Sequence, residues 1–331
     1  MVQKLGVAIT GSGSATPGTV LNNQDLSQLV ETSDEWISSR TGIRQRRLAA
    51  GEECLSTIAT VASRNAIAMA GITPAQIDLI ILATSTPDDL FGTACQIQAQ
   101  LGATNAVAFD ITAACSGFVF GLVTAAGYIR SGVYQNVLLI GADLLSRWVD
   151  WEDRGTCVLF GDGAGAVVIQ AQECDRLLGF ELKTDGTQNH CLNLAYKAQP
   201  KQLLDGVEVG KGSFQPITMN GKEVYRFAVA RVPEVIDKVL FRANLSVEQV
   251  DWLLLHQANQ RILDAVAERL SIPPAKVISN LANYGNTSAA SIPLALDEAV
   301  RTVQIKPNDI IVACGFGAGL TWGAAVFQWG R

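Results

Sequence analysis

Charge is scarce in this sequence. Asp, Glu, Lys and Arg make up 17% of its 331 residues, against about a quarter in an ordinary soluble domain, so part of the surface is expected to be covered by a partner. Cationic excess is also missing. The 25 Lys plus Arg face 31 Asp plus Glu, a formal charge of −6, which argues against nucleic-acid or anionic-membrane binding and leaves only local basic patches. No apolar run approaches the roughly 18–20 residues of a membrane span, and the apolar stretch within Met1 to Gly13 is too short for a signal-peptide core. Seven cysteines are present (Cys54, Cys95, Cys115, Cys157, Cys174, Cys191 and Cys314) with no Cys-x-x-Cys pair and no cluster at zinc spacing. A reducing, cytoplasmic or stroma-like compartment and no metal are therefore expected. Histidine is almost absent: His190 and His256 are the only two.

What is present repeats. Ile72 to Leu82 aligns with Leu245 to Leu255 at an offset of 173, with Gln76/Gln249, Asp78/Asp251 and Leu82/Leu255 identical. The same offset carries Asn136–Ile140 onto Asp309–Ala313. Two blocks sharing one offset point to a duplicated domain, with halves 1–174 and 175–331.

Each half alternates short apolar runs with helical stretches. Ile77–Leu82, Val107–Ile111 and Val137–Ile140 read as strands buried on both faces. Gly117–Arg130 and Gln260–Leu270 read as helices; the latter puts Ile262, Leu263, Val266 and Leu270 on one side and Arg261, Asp264, Glu268 and Arg269 on the other. The alternation predicts an α/β fold of parallel βαβ units. Thr184–Gly221, polar and rich in Gly, reads as a surface excursion positioned to cover a site.

In open α/β sheets ligands sit beyond the carboxyl ends of the strands, where Cys115, His256 and Asn286 all fall. Cys115 follows a strand and opens a helix, where the macrodipole is expected to lower its pKa; a buried structural thiol fits the same position. Cys115 plus 173 is 288, so Asn286 occupies a near-equivalent place in the second half. His256 corresponds to Ala83 and belongs to one copy only. Taken singly, His256 also suits a satisfied core histidine and Asn286 a turn residue beside Gly285.

The glycine runs offer no dinucleotide site. Gly11–Gly18 lacks the G-x-G-x-x-G spacing, and Gly161–Gly165 runs into a strand instead of a helix. Gly315–Gly319 also precedes a strand, either to pack a hairpin turn or to bring backbone N–H groups to a developing oxyanion. Thr32 and Glu35 suggest a capping box opening a short helix, Ser33 to Thr41, closed by Gly42. Trp36 and Arg40 then stack at i and i+4, a pairing suited to an adenine with phosphates or, alternatively, a solvated basic helix end.

With these residues in hand, the chain resembles the β-ketoacyl-acyl-carrier-protein synthase III enzymes of the thiolase-like superfamily, essentially end to end. The resemblance is carried by Thr32-Ser-Asp-Glu-Trp-Ile37, Arg40-Thr-Gly-Ile-Arg44, Ala113-Ala-Cys-Ser-Gly-Phe118, Asp153-Arg-Gly-Thr156, Phe160-Gly-Asp-Gly-Ala-Gly-Ala166, His256-Gln-Ala-Asn-Gln-Arg-Ile262, Asn283-Tyr-Gly-Asn-Thr-Ser288 and Gly317-Ala-Gly-Leu-Thr-Trp-Gly323. It implies a thiolase-like fold, two halves related by a pseudo-twofold in αβαβα layers. It further implies initiation of fatty-acid synthesis, in which acetyl-CoA and malonyl-acyl-carrier protein give acetoacetyl-acyl-carrier protein, coenzyme A and carbon dioxide.

By the same resemblance Cys115 is the nucleophile and His256 and Asn286 stabilise the enolate. The backbone of Cys115 and of the Gly317–Ala318 loop would hold the oxyanion; the family usually has a further Gly where Ala318 stands. Trp36 and Arg154 would flank the adenine, Arg40 would meet the phosphates, Asn259 would bond the pantetheine arm, and Arg261 would dock the acidic carrier protein. Phe91 lies near the position of an aromatic that closes the partner subunit's pocket, its spacing to Cys95 one residue off the family pattern. A homodimer with no permanent cofactor is implied. A starter-unit synthase of secondary metabolism, a thiol acyl hydrolase and a non-catalytic acyl-CoA or carrier-protein binding module remain as alternatives.

Overall fold

A computed structural model describes residues 5–330. Its first half runs β1 (Gly6–Ala15), β2 (Thr19–Asn22), α1 (Asn23–Leu26), α2 (Asp34–Thr41), β3 (Gln45–Leu48), α3 (Leu55–Ala70), β4 (Leu79–Ala83), α4 (Ala94–Leu101), β5 (Val107–Ile111), α5 (Gly117–Arg130), β6 (Asn136–Leu144), α6 (Arg154–Cys157) and β7 (Asp162–Gln172). The second runs β8 (Leu177–Thr184), β9 (Leu192–Asn193), β10 (Tyr196–Leu204), β11 (Val207–Phe214), β12 (Thr218–Met219), α7 (Gly221–Ala243), β13 (Trp252–Leu255), α8 (Gln260–Arg269), α9 (Leu281–Tyr284), α10 (Ser291–Arg301), β14 (Ile310–Gly317) and β15 (Thr321–Gln328).

Two sheets carry the fold, in the orders β1-β7-β6-β4-β5 and β8-β15-β14-β13. Alternate residues of each central strand enter different cores, as strand geometry requires. Ile80 and Leu82 pack outward under α3 and α4, while Leu79 and Ile81 pack inward on Phe118 and Leu122 of α5 and Ile292 and Leu296 of α10. From the other side Leu254, Ile311 and Phe327 join that inner core. Leu253, Val312 and Val326 pack outward with α7 and α8. The result is five layers, helix–sheet–helix–sheet–helix, as the resemblance implies.

The offset of 173 reappears in the elements. The 3₁₀ turns Pro74–Gln76 and Val247–Gln249 match. α3 and α7 end at Ala70 and Ala243, each followed by a left-handed residue, Gly71 (φ 69°) and Asn244 (φ 54°). β5 has only a vestige in the second sheet, an isolated bridge between Leu253 and Val277.

Several expectations need correction. The sheets are mixed, not parallel: β5-β4-β6 and β13-β14 run parallel, but β7, β1, β15 and β8 are antiparallel to their neighbours. The short link between β14 and β15 leaves no room for a crossover helix and forces the reversal there. β5 is not buried on both faces. It is the sheet edge, with Val107 51% exposed. Ser33, not Thr32, caps α2, accepting from the Trp36 N–H at 3.1 Å. Starting one residue late moves Glu35 out of capping-box register, and the Thr32 hydroxyl is buried without a partner.

The first two glycine runs lie largely in β1 and β7, where they admit helices closely. A Cβ at Gly13 would sit 2.2 Å from the Ala62 carbonyl oxygen of α3, and one at Gly165 2.6 Å from the Leu294 nitrogen of α10. The Thr184–Gly221 excursion contains regular structure, mainly the β10–β11 hairpin. Among the described residues no helix is long and apolar enough to cross a membrane.

Candidate active site

Cys115, His256, Asn286 and Gly317 line one cavity of about 440 Å³, together with Arg40, Asn259 and Arg261. Cys115 arrives from β5 through a 3₁₀ turn, Ala114–Ser116, that leads into α5. Its counterpart in the second half is the turn Ser288–Ala290 before α10. Ala114 and Ser288 share positive φ, 46° and 50°, so Cys115 corresponds to Ala289, and Asn286 sits three residues earlier in that frame.

The Cys115 thiol is pushed up to about 12. Burial is the main cause and Asp143 adds to it, against a hydrogen bond with Ser288. This reverses the expected lowering. The residue is 7% exposed and lies two positions ahead of α5, where loss of water outweighs the helix terminus.

His256 leaves the end of β13 and is 1% exposed. Burial alone lowers its pKa to about 3, so the imidazole is neutral. Its Nδ1 lies 2.7 Å from the Ser291 hydroxyl oxygen, which also accepts the Gln257 N–H at 3.3 Å. With the Ser291 hydroxyl donating to Nδ1, the ring proton sits on Nε2. The Phe316 ring packs edge-on against the imidazole, 5.2 Å between centroids.

Asn286 is held by the first half: its N–H donates to the Leu159 carbonyl at 2.9 Å, and its carbonyl accepts the Gly161 N–H at 3.0 Å. Its Oδ1 accepts the Ser288 N–H at 2.9 Å, which leaves the amide NH₂ as the side chain's donor. Two neutral donors thus belong to a cavity that also contains a thiol.

Gly317 ends β14 against the nucleophile. A Cβ there would lie 2.8 Å from Cys115 Cβ, 3.0 Å from Sγ and 3.1 Å from the Cys115 nitrogen; only glycine lets the two backbones meet. Ala318 behaves differently. It opens the turn behind, its carbonyl accepting from the Thr321 hydroxyl at 3.0 Å, and among the described residues the cavity lining includes Gly317 but not Ala318.

At the mouth, Trp36 carries two arginines. Arg40 Cζ is 4.9 Å and Arg154 Cζ 4.8 Å from its ring centroid. Arg154 also donates to the Glu31 carbonyl at 2.9 Å, which tethers its guanidinium over the Trp36 ring. Asn259 caps α8, accepting the Arg261 N–H at 2.9 Å and donating to the Arg40 carbonyl at 3.1 Å. That leaves one amide hydrogen and one lone pair for a ligand. Phe91 is fully exposed and lies in a separate cavity along the β5 edge. His190 is exposed and not in the Cys115 cavity.

Sequence reasoning missed Lys222, Tyr225, Leu192 and Met219, which line the same cavity. The signal was Asn220, which caps α7 by accepting the Glu223 N–H at 3.3 Å and so sets Lys222 on the first turn after the excursion. It also missed Asp143, buried behind the site. Its carboxylate accepts from the Thr84 and Thr86 hydroxyls (3.1 and 3.0 Å) and from the Ser85 and Ala289 N–H groups (2.7 and 3.2 Å), while burial raises its pKa.

The profile of the 3-oxoacyl-[acyl-carrier-protein] synthase III family matches residues 109–186, and the profile of that family's C-terminal region matches residues 240–329. Beta-ketoacyl-[acyl-carrier-protein] synthase III of Trichormus variabilis is 75% identical over 330 residues, and that of Nostoc sp. 76%; both matches cover 100% of each chain. Among solved structures, 3-oxoacyl-[acyl-carrier-protein] synthase III of Aquifex aeolicus superposes with a TM-score of 0.90 at 46% identity, covering 98% of this chain and 100% of that one. The priming beta-ketosynthase of the R1128 polyketide pathway superposes at 0.91 with 33% identity, covering 100% and 98%.

Proposed function

The chain belongs to the β-ketoacyl-acyl-carrier-protein synthase III family, and on that premise we propose how its cavity works. It is an acyltransferase, the initiating condensing enzyme of type II fatty-acid synthesis. Identity of 75% and 76% to the synthase III relatives, against 33% to the priming polyketide ketosynthase, favours fatty-acid synthesis over secondary metabolism. Acetyl-CoA and malonyl-acyl-carrier protein are its substrates, with no resident cofactor.

The Cys115 sulfur attacks the acetyl thioester. The C–S bond to coenzyme A breaks, the thiol proton ends on the departing coenzyme A sulfur, and acetyl remains on Cys115. The N–H groups of Cys115 and of the Gly317–Ala318 loop receive the transient oxyanion. Malonyl-carrier protein then loses carbon dioxide, and the electrons of that bond form an enolate whose oxygen takes hydrogen bonds from His256 Nε2 and the Asn286 amide. Each donor of this kind is worth about 3 kcal/mol. The enolate carbon attacks the acetyl group, its C–S bond to Cys115 breaks, and the released thiolate takes a proton from water.

One observation carries this reading: Ser291 occupies Nδ1 of His256 and the Ser288 N–H occupies Oδ1 of Asn286, so both side chains are left as neutral donors in the Cys115 cavity. Trp36 and Arg154 take the adenine once Arg154 swings off the ring. Arg40 meets phosphate, Asn259 the pantetheine arm, and Arg261 the acidic carrier protein.

The halves 1–174 and 175–331 are two copies of one domain, consistent with the matched caps and turns. The exposed β5 edge, with Leu90, Phe91 and Val107, is the face for a second subunit, and the reaction belongs in the cytoplasm. Mass spectrometry tests the central claim. Acetyl-CoA should add about 42 Da to the Cys115 peptide, as a thioester intermediate requires, and malonyl-carrier protein should discharge it as acetoacetyl-carrier protein. No adduct with any acyl-CoA would remove Cys115 as nucleophile.

A further inference from the structure

Every residue of β10 and β11 is exposed. A lone two-stranded hairpin is marginally stable in water, and this one is anchored at its base. Tyr196 and Phe214 pack edge-to-face at 5.5 Å, Phe214 packs on Trp148 at 6.0 Å, and the Tyr196 hydroxyl accepts the Gly212 N–H at 2.8 Å.

The register assigns the two faces, since opposed residues share a face and successive residues alternate. Tyr196 and its opposite Phe214 define the anchoring face. On the other, Lys197 opposes Ser213, Gln199 opposes Lys211, and Lys201 opposes Val209. Lys197, Lys201 and Lys211 therefore project together, and among the described residues none of them forms an ion pair.

The base of the hairpin adjoins the active site. β10 follows β9 and β11 leads to β12, and Leu192 of β9 and Met219 of β12 line the Cys115 cavity. Arg40, Lys222 and Arg261 line the same cavity, likewise without carboxylate partners among the described residues.

Resting on the functional reading above, we infer that the lysine face of the β10–β11 hairpin is a second docking surface for the acidic carrier protein, complementing Arg261. Lys197 and Lys201 lie about 13 Å apart along the strand, a spacing met by carboxylates two to three turns apart on a helix. A second copy of this chain does not suit the face. Twofold pairing through it would set lysines against the same lysines.

The test is charge reversal, K197E/K201E/K211E, with the milder K197Q/K201Q/K211Q alongside in case reversal unsettles the hairpin. The KM for malonyl-carrier protein should rise about tenfold or more in the reversed variant, and its salt dependence should flatten. Condensation with malonyl-pantetheine, which has no carrier protein, should keep the wild-type rate, as should acetylation of Cys115 by acetyl-CoA. An unchanged KM and salt dependence in both variants would overturn the inference, and so would an equal loss on malonyl-pantetheine. If the wild-type chain makes no acetoacetyl-carrier protein, the functional reading itself fails; a loss confined to the carrier-protein substrate in the variants tests the hairpin alone.

Discussion

The neutral state of His256 is open to direct measurement because the chain has only two histidines. Burial takes its pKa from 6.5 to about 3. At about 1.4 kcal/mol per pH unit, that displacement corresponds to roughly 5 kcal/mol. Its sign is definite. Below pH 6.5 the unfolded chain binds a proton at this residue that the folded chain refuses, so the contribution is fully present above pH 6.5 and is lost as pH falls toward 3. Carbon-13 histidine labelling gives two imidazole signals, and His190→Gln leaves the one belonging to His256. That signal should show a neutral ring protonated at Nε2 and should not titrate between pH 8 and 5. Denaturant unfolding over pH 7 to 4 should show stability falling with acid in the wild type, with a smaller slope in His256→Asn. A His256 signal titrating near pH 6 would refute the argument, because the side chain would then be a cation or a general base and not a neutral donor.

Gly317→Ala keeps the backbone N–H but sets a Cβ 2.8 Å from Cys115 Cβ, so acetylation of Cys115 should slow, by up to about 10²–10³-fold if the donor is pushed fully out of line. The forced Cβ contact should cost about 1–3 kcal/mol of stability, read as a modest drop in Tm; acetylation near the wild-type rate would remove Gly317 from the site. Ser291→Ala frees Nδ1 and unpins the tautomer, so decarboxylation of malonyl-carrier protein should fall about ten- to hundredfold while Cys115 still acetylates. With its pKa raised to about 12, Cys115 in the free enzyme should react with iodoacetamide about tenfold faster per pH unit up to pH 10. Peptide mapping should find exposed Cys174 labelled ahead of it at neutral pH, and a plateau for Cys115 by pH 8 would contradict the burial argument.

Much of this was legible in the residues. Helices Gly117–Arg130 and Gln260–Arg269 follow from apolar periodicity, and the shared 173-residue offset recurs in the turns and caps of both halves. Strand direction was not legible: an apolar run looks the same whichever way its neighbour travels, and β7 and β15 reverse. Nor was the edge position of β5, since nothing local marks where a sheet stops. The capping box placed on Thr32 was one residue early, because packing and not the local pattern chose where α2 begins.

Sequence alone, then, determined the main buried strands and helices, their repetition and the inventory of chemistry: one thiol before a helix, one imidazole after a strand, one amide in a turn. These depend on spacing along the chain, which folding does not alter. Tertiary structure decided how those groups behave. Burial raised the Cys115 thiol and neutralised His256, contact with Ser291 and Ser288 chose which atoms remain as donors, and Gly317 came against the nucleophile from 202 residues away. Lys222 and the hairpin lysines acquired a place beside that site by the same route. Desolvation and proximity depend on what surrounds a group in space, and that is settled only when distant segments pack.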